Sequence, residues 1–310
     1  MHNRIVEIVS DGVHISVSRG FLKLSLKSKT VGQIAIDDIA GLVIRGHGAS
    51  LSANICSRLA DANVPVIICN DSQTPAAVIW PVSGHFAQGL RMQAQAVANK
   101  PVSKRLWAQL VKTKIMAQAF VLEQAGRNAH DLREMSLRVK SGDSGNLEAQ
   151  AARRYWPRLM GVDFRRDRTA EGINAALNYG YAILRAAAAR SILSAGLHPS
   201  LSLNHQSRGD ALRLADDLME PFRPWIDLCI VESINTSNRD SELVLDPDLK
   251  ADLVNVLSQD LHSNHGASPL QLCMDRLAQS LAGVFLGENK ALDLPGIPVF
   301  SGSPTMQAAG

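Results

Sequence analysis

Asp217 and Glu220 stand three residues apart in ALRLADDLMEPFRPWID (211–227). On a helix this spacing puts both carboxylates on one face, with Asp216 displaced to the side. Carboxylates on an otherwise apolar segment are costly unless something positive neutralises them. A divalent cation is one such partner, and Arg213 or Arg223 is another. Pro221 and Pro224 then end or redirect the helix. A capped or salt-bridged helix end accounts for the same spacing, and acidic pairs on helices are commoner than metal sites.

Two further residues extend this chemistry. His205 precedes Glu220 by fifteen positions, in the loop-like stretch HPSLSLNHQSRGD (198–210). A loop histidine serves as a metal ligand, a general base or an ordinary surface residue. His198 is a competitor, but Pro199 after it makes it read as a turn residue. Glu148 lies in SGNLEAQAARRYW (144–156), where Ser144 or Asn146 can cap a helix. A carboxylate in a first helical turn is favoured by the macrodipole alone, with no function required. The functional reading adds Arg153, Arg154 and Arg158, with Tyr155 and Trp156, as a setting for phosphate beside a metal.

Residues 1–80 read as strands. RIVEIV (4–9) and VHISV (13–17) flank Asp11-Gly12, a hairpin turn signal. FLKLSLK (21–27) alternates strictly, Leu22, Leu24 and Leu26 to one face. VGQIAI (31–36), GLVIR (41–45), VPVIIC (64–69) and AAVIW (76–80) continue the series. One helix interrupts it, capped by Ser50 or Ser52 and carrying Leu51, Ile55 and Leu59. Pro81, Gly84 and Gly89 then punctuate the chain. From about residue 90 the pattern is helical, with GINAALNYGYAILRAAAARSIL (172–193) suited to a central buried helix. The predicted architecture is α+β with two domains. A small β-rich domain with one helix spans 1–80, a linker 81–90, an all-α domain 91–286, and an extended or disordered tail 287–310.

The 310-residue chain carries 32 Lys+Arg against 29 Asp+Glu, a net charge of +3 that does not advertise a nucleic-acid binder. The total conceals two opposed regions. Segment 91–168 holds 16 basic residues against 7 acids, an excess of +9, and segment 210–260 holds 12 acids against 4 basic residues. The first suits a phosphate-backbone track, although a solvated helix face or an acidic protein partner would show the same charge. With 46% apolar and 20% charged residues the chain reads as globular, not disordered. No apolar run reaches membrane-spanning length, and the start, MHNRIVEIVS, does not read as a signal peptide. Cys56, Cys69, Cys229 and Cys273 are scattered without metal-binding spacing, which points to reduced thiols and a cytoplasmic location. No P-loop, GxSxG, HExxH or Rossmann fingerprint occurs.

The stretches LEAQAARRYW (147–156), INAALNYGYAILR (173–185), AGLHPSLSLNH (195–205) and LADDLMEPFRPWID (214–227) resemble, in order and spacing, the CRISPR-associated adaptation integrase family. Members of that family are metal-dependent DNA endonucleases. IAIDDIAGLVI (34–44) and ASLSANICSRLADANVPVIICND (49–71) resemble its N-terminal domain, and ALNYGYAILRAAAARSILSAGLHPSL looks most like the type II branch. The resemblance spans roughly residues 4–285. It implies Glu148, His205 and Glu220 as catalytic metal ligands, Asp217 as a further functional carboxylate, and packing roles for Asn178 and Tyr181. Two carboxylates and an imidazole suit Mg²⁺ or Mn²⁺. The implied reaction is attack of a DNA 3′-hydroxyl on the CRISPR repeat, inserting a new spacer; a non-catalytic DNA-binding scaffold of the same assembly is the alternative. The implied partners are spacer-precursor and repeat DNA, a second copy of the chain, and a small ferredoxin-like CRISPR-associated partner dimer. In type II systems an effector nuclease and an accessory adaptation protein join them. Ala149 replaces a common Gly, and Asn204, Gln206, Ser207 and Gly209 depart from the branch's His/Asn-rich loop.

Overall fold

The structure is a computed structural model and describes residues 4–70, 75–82, 84–167, 169–206, 210–237 and 243–298. A β-rich N-terminal region is followed by a helical C-terminal region, as the sequence predicts. The first region holds β1 (Arg4–Ile8), β2 (His14–Ser18), β3 (Phe21–Leu26), β4 (Lys29–Ala35), β5 (Ile39–Ile44), β6 (Ser50–Leu51), α1 (Ala53–Asp61), β7 (Val66–Cys69) and β8 (Pro75–Ile79). They form two four-stranded sheets, ordered β1-β5-β7-β8 and β4-β3-β2-β6. Ile15, Leu22, Leu42, Ile44, Ile55 and Leu59 are among the apolar side chains packed between them. The alternation in β3 does what its period requires: Leu22 is fully buried and Leu24 and Leu26 pack against the same core. Ser52, not Ser50, caps α1, its hydroxyl accepting from the Ile55 N–H at 3.3 Å.

The Asp11-Gly12 turn does not close a hairpin. β1 runs parallel to β5 in one sheet, and β2 runs antiparallel to β3 in the other. The cause lies in β1, which is covered on both faces: Val6 and Ile8 face the core between the sheets, and Ile5 faces the helices, with Glu7 beside it paired to Arg45. A strand covered on both faces belongs in a parallel, helix-backed sheet. Asp11-Gly12 therefore crosses between sheets, held where the Asp11 carboxylate accepts from the His47 N–H at 2.7 Å.

The second region comprises α2 (Gln88–Ala96), α3 (Lys100–Gln124), α4 (His130–Leu137), α5 (Leu147–Met160), α6 (Ile173–Ser194), α7 (Arg213–Leu218), α8 (Arg223–Ser237), α9 (Pro247–Asn255) and α10 (Leu270–Phe285), with the short strands β9 (Asp260–Leu261) and β10 (Ser268–Pro269). α6 is the central buried helix and packs against α7, α8, α9, α10 and β5. Gly180 permits its close crossing with α8, since a Cβ there would lie 2.4 Å from Ile226 Cγ2. Every residue of β5 is buried, Leu42 and Ile44 towards the sheets and Val43 towards the helices, so one strand joins both cores. Residues 287–298 run without helix and are pinned by a bridge from Leu261 to Pro298; the rest of the expected tail lies outside the described residues. Among the described residues no helix is long and apolar enough to cross a membrane.

Candidate active site

Three elements bring charged side chains to one point. α3 contributes Lys114, the first turn of α5 contributes Glu148, and the 3₁₀ turn Glu220–Phe222 between α7 and α8 contributes Glu220. The Lys114 ammonium lies 2.6 Å from Glu148 Oε1 and 2.6 Å from Glu220 Oε2. Arg223 Nε sits 3.1 Å from the other Glu220 oxygen. Glu220 is only 3% exposed, and burial alone would drive its carboxyl pKa up. Arg223 and Lys114 outweigh that burial and hold it below the usual range. Burial likewise opposes the Lys114 charge, but Glu220 and Glu148 outweigh it and the pKa ends raised. The site therefore holds Lys114 and Glu220 as ions despite burial.

Local sequence explains the placement. α7 ends at Leu218, and Pro221 and Pro224 turn the chain so that α8 starts at Arg223. Asp217 and Glu220 consequently leave the single helical face that their spacing predicts. Asp217 is fully buried beneath the turn carrying His205. It accepts from the backbone N–H groups of Leu203, Asn204 and His205 at 2.6, 3.2 and 3.2 Å, and bonds His205 Nδ1 at 2.7 Å. The Asp217 bond raises the His205 pKa against the opposing effect of burial. With Nδ1 engaged, Nε2 is the ring nitrogen left to face a ligand. The ring edge rests on Trp107 at 5.7 Å between centroids. Ser207 and Gly209, where the sequence departs from the branch pattern, lie outside the described residues.

The residues fit a divalent cation. Two carboxylates from separate elements converge on one positive group, and a histidine oriented by a carboxylate adjoins them electrostatically. Glu220 Oε2 is buried and lacks an aligned hydrogen bond, although it touches the Lys114 ammonium. In this arrangement no three His, Cys, Asp or Glu side chains among the described residues close to metal-ligand distance. The ammonium lies between the two acids instead.

A cavity of about 600 Å³ opens beside the site, between the β5-β7-β8 side of the sheet and α6. Arg45, Arg166, Asn178, Arg185, His205 and Arg223 are among its lining residues. Arg185 is held by Asp210 and Asp216, and Arg45 by Glu7. Arg223 stacks over the Tyr181 ring at 4.7 Å. Below it, the hydroxyls of Tyr181 and Tyr155 donate to the two oxygens of Asp227 at 2.6 and 2.9 Å. Burial pushes the Asp227 carboxyl up to about 6 and both phenols well above their usual value. This cluster ties α5, α6 and α8, the helices beside Glu148 and Glu220.

Several sequence expectations change. Neither Ser144 nor Asn146 caps α5: Asn146 is left-handed at φ 50°, and the Asp143 carboxylate accepts from the Leu147 and Glu148 N–H groups instead. Arg154 and Arg158 pair with Asp131, and Arg153 reaches its own helix backbone, so none serves Glu148. Arg213 donates to the Ser200 carbonyl, leaving Arg223 as the arginine on Glu220. His198 packs against Trp80, away from the carboxylates. In the sequence Lys114 is one of the 16 basic residues of segment 91–168, and no motif marks it out. Its signal is positional, because it lies four residues from Leu110 and four from Gln118, on the buried stripe of α3. A lysine on such a stripe requires buried acids opposite it.

The family described as CRISPR associated protein Cas1 matches residues 6–245. A CRISPR-associated endonuclease Cas1 of Neisseria meningitidis is 32% identical over 94% of this chain and 95% of its own length. A casposase bound to integration product superposes with a TM-score of 0.74 at 23% identity, covering 94% of this chain and 92% of that one. A chain of a Cas6-RT-Cas1–Cas2 complex gives a TM-score of 0.73 at 16% identity over 95% of this chain and 36% of its own.

Proposed function

The chain belongs to the Cas1 family of CRISPR-associated proteins, and from that premise we propose that it is a metal-dependent DNA integrase that inserts spacers into a CRISPR array. The observation carrying this reading is the convergence of Glu148 and Glu220 on one half-buried cation beside an Asp217-oriented His205. Glu148, His205 and Glu220 would hold Mg²⁺ or Mn²⁺, which supplies activation of the nucleophile and neutralisation of charge on the phosphodiester. The nucleophile is the 3′-hydroxyl of the incoming DNA. Its oxygen gives up its proton and forms a bond to the repeat phosphorus, the phosphorus–oxygen bond to the leaving 3′-oxygen breaks, and that oxygen takes up a proton from water, so that no net proton is gained or lost. With water as nucleophile the same site performs endonuclease cleavage.

The protein's own side chains set this reaction up. Asp217 fixes the His205 tautomer and the backbone of its turn. Arg223 and Arg185 place positive charge at the cavity wall, where a phosphate beside the reacting centre gains most. Lys100, Lys104, Arg105 and Lys112 are exposed on α3 and provide a backbone track. A second copy meeting through the β-rich region and a small ferredoxin-like CRISPR-associated dimer complete the proposed assembly, with a type II effector nuclease and an accessory adaptation protein as further participants. The likeness to a Cas1–Cas2 complex supports the partner, and the casposase likeness supports DNA strand transfer.

Joining of a 3′-ended DNA to a repeat substrate, measured with Mn²⁺, Mg²⁺ or chelator, tests the proposal. Product should require the metal and vanish in Glu148→Ala, His205→Ala and Glu220→Ala, each with an unchanged circular dichroism spectrum. Undiminished joining by all three variants would sink the site assignment. DNA binding with no metal-dependent joining by the wild type would leave a scaffold.

A further inference from the structure

We propose that Lys114 is a resident cation of the metal site: its ammonium occupies the metal-free site and must leave at least one carboxylate for the divalent ion to bind. The inference rests on the reading of Glu148 and Glu220 as metal ligands. Two carboxylates from α5 and the Glu220 turn would repel each other if brought together without a cation. Here both lie 2.6 Å from the same ammonium, Glu148 accepting a hydrogen bond from it and Glu220 pairing with it by charge. Lys114 is only 12% exposed and Glu220 3%, so little water reaches that pair, while Glu148 is 27% exposed. α3 holds the lysine in register, fixed at its start by Asn99 and Pro101. The neighbouring cations Lys104, Arg105 and Lys112 are exposed, and Lys114 alone of these four turns to the acids.

Competition follows from charge and space. A divalent ion bound to Glu148 and Glu220 would stand beside the ammonium, and two cations at that separation repel strongly where little water screens them. Lys114 thus keeps the two ligands assembled while setting a threshold that the metal must exceed. Arg223 does not share this role, because its ion pair is with the opposite oxygen of Glu220 and it makes no ion pair with Glu148 among the described contacts.

The test is calorimetric titration of chelator-treated full-length protein with Mn²⁺, comparing wild type, Lys114→Met, Lys114→Gln and Glu148→Ala. Mn²⁺ should bind both Lys114 variants at least about five-fold more tightly than wild type. Their metal-free melting temperatures should fall, because a buried carboxylate loses its partner. Saturating Mn²⁺ should raise those temperatures more than it raises the wild type's. Equal or weaker Mn²⁺ binding by folded Lys114 variants overturns the inference while leaving the metal site intact. Wild-type protein that binds no Mn²⁺, or binds it equally in Glu148→Ala, overturns the metal-site reading and this inference with it. If both lysine variants fail to fold, crystals of the wild type with and without Mn²⁺ decide: an ammonium still bridging both carboxylates beside bound Mn²⁺ overturns the inference, and an ammonium moved off one supports it.

Discussion

Ile15, Leu22, Leu42, Ile55 and Leu59 fill the space between the two sheets, and among the described residues of that region no polar side chain is buried with them. The helical region differs. Its interior takes in Asp217, Glu220 and Asp227, each at most 3% exposed, besides several buried amides and hydroxyls. An apolar core is stable through contact area alone and tolerates exchange of one aliphatic for another. A buried carboxylate gains little stability unless every partner is in place, and its loss is expensive. The sheets therefore supply a firm platform, and α3, α5 and α8 spend stability on charges held where chemistry needs them. β5 joins the two, with Val43 on the helical side and Leu42 on the other.

If this contrast holds, variants in the two regions should separate stability from activity. Leu42→Ala carries the largest expected stability loss, about 3 kcal/mol, because it opens a cavity in a closely packed core. Urea unfolding measures the loss, and strand transfer per folded molecule should match wild type. A fall in specific activity of the folded protein would show that the sheets shape the site and would break the contrast. Asp217→Asn should act in the opposite sense. It weakens the bonds that orient His205, so Mn²⁺ affinity should drop by about ten- to a hundred-fold with a smaller stability change than Leu42→Ala. Unchanged affinity would reduce Asp217 to a loop anchor.

The division into sheets and helices was readable because period-two alternation in β3 and the Ala/Leu run of α6 are dictated by burial on one face or all round. Sheet partners were not, since Asp11-Gly12 has hairpin chemistry and the two-sided burial of β1 overrides it. At the site, Glu148, His205 and Glu220 are expectations drawn from the family resemblance, and the structure brings Glu148 and Glu220 to one ammonium with His205 bonded to Asp217. The sequence could not reveal the ammonium between the acids, because Lys114 is 34 residues from Glu148 and no local pattern links them. Asp217 shows a different limit: helical spacing groups it with Glu220, while Pro221 and the turn at residues 220–222 send the two carboxylates to different partners.

Asp227 offers the finest test of what the helical interior tolerates. At neutral pH its replacement by Asn should cost about 1 kcal/mol, since one tyrosine hydroxyl keeps an acceptor and the other loses its own. The groups facing it are Tyr155, Tyr181, Arg223 and Lys114; burial prevails over them and raises its carboxyl from 3.8 to about 6. A carboxyl raised on folding contributes stability that is complete below the unfolded value and is lost as pH rises through the folded one. The advantage of wild type over Asp227→Asn should therefore widen as pH falls from 7 towards 4, with titrations elsewhere in the chain cancelling in the difference. Urea midpoints of the two proteins across that range give the answer. An advantage that narrowed on acidification would mean that Arg223 and Lys114, and not burial, dominate the Asp227 carboxyl and hold it below its ordinary value.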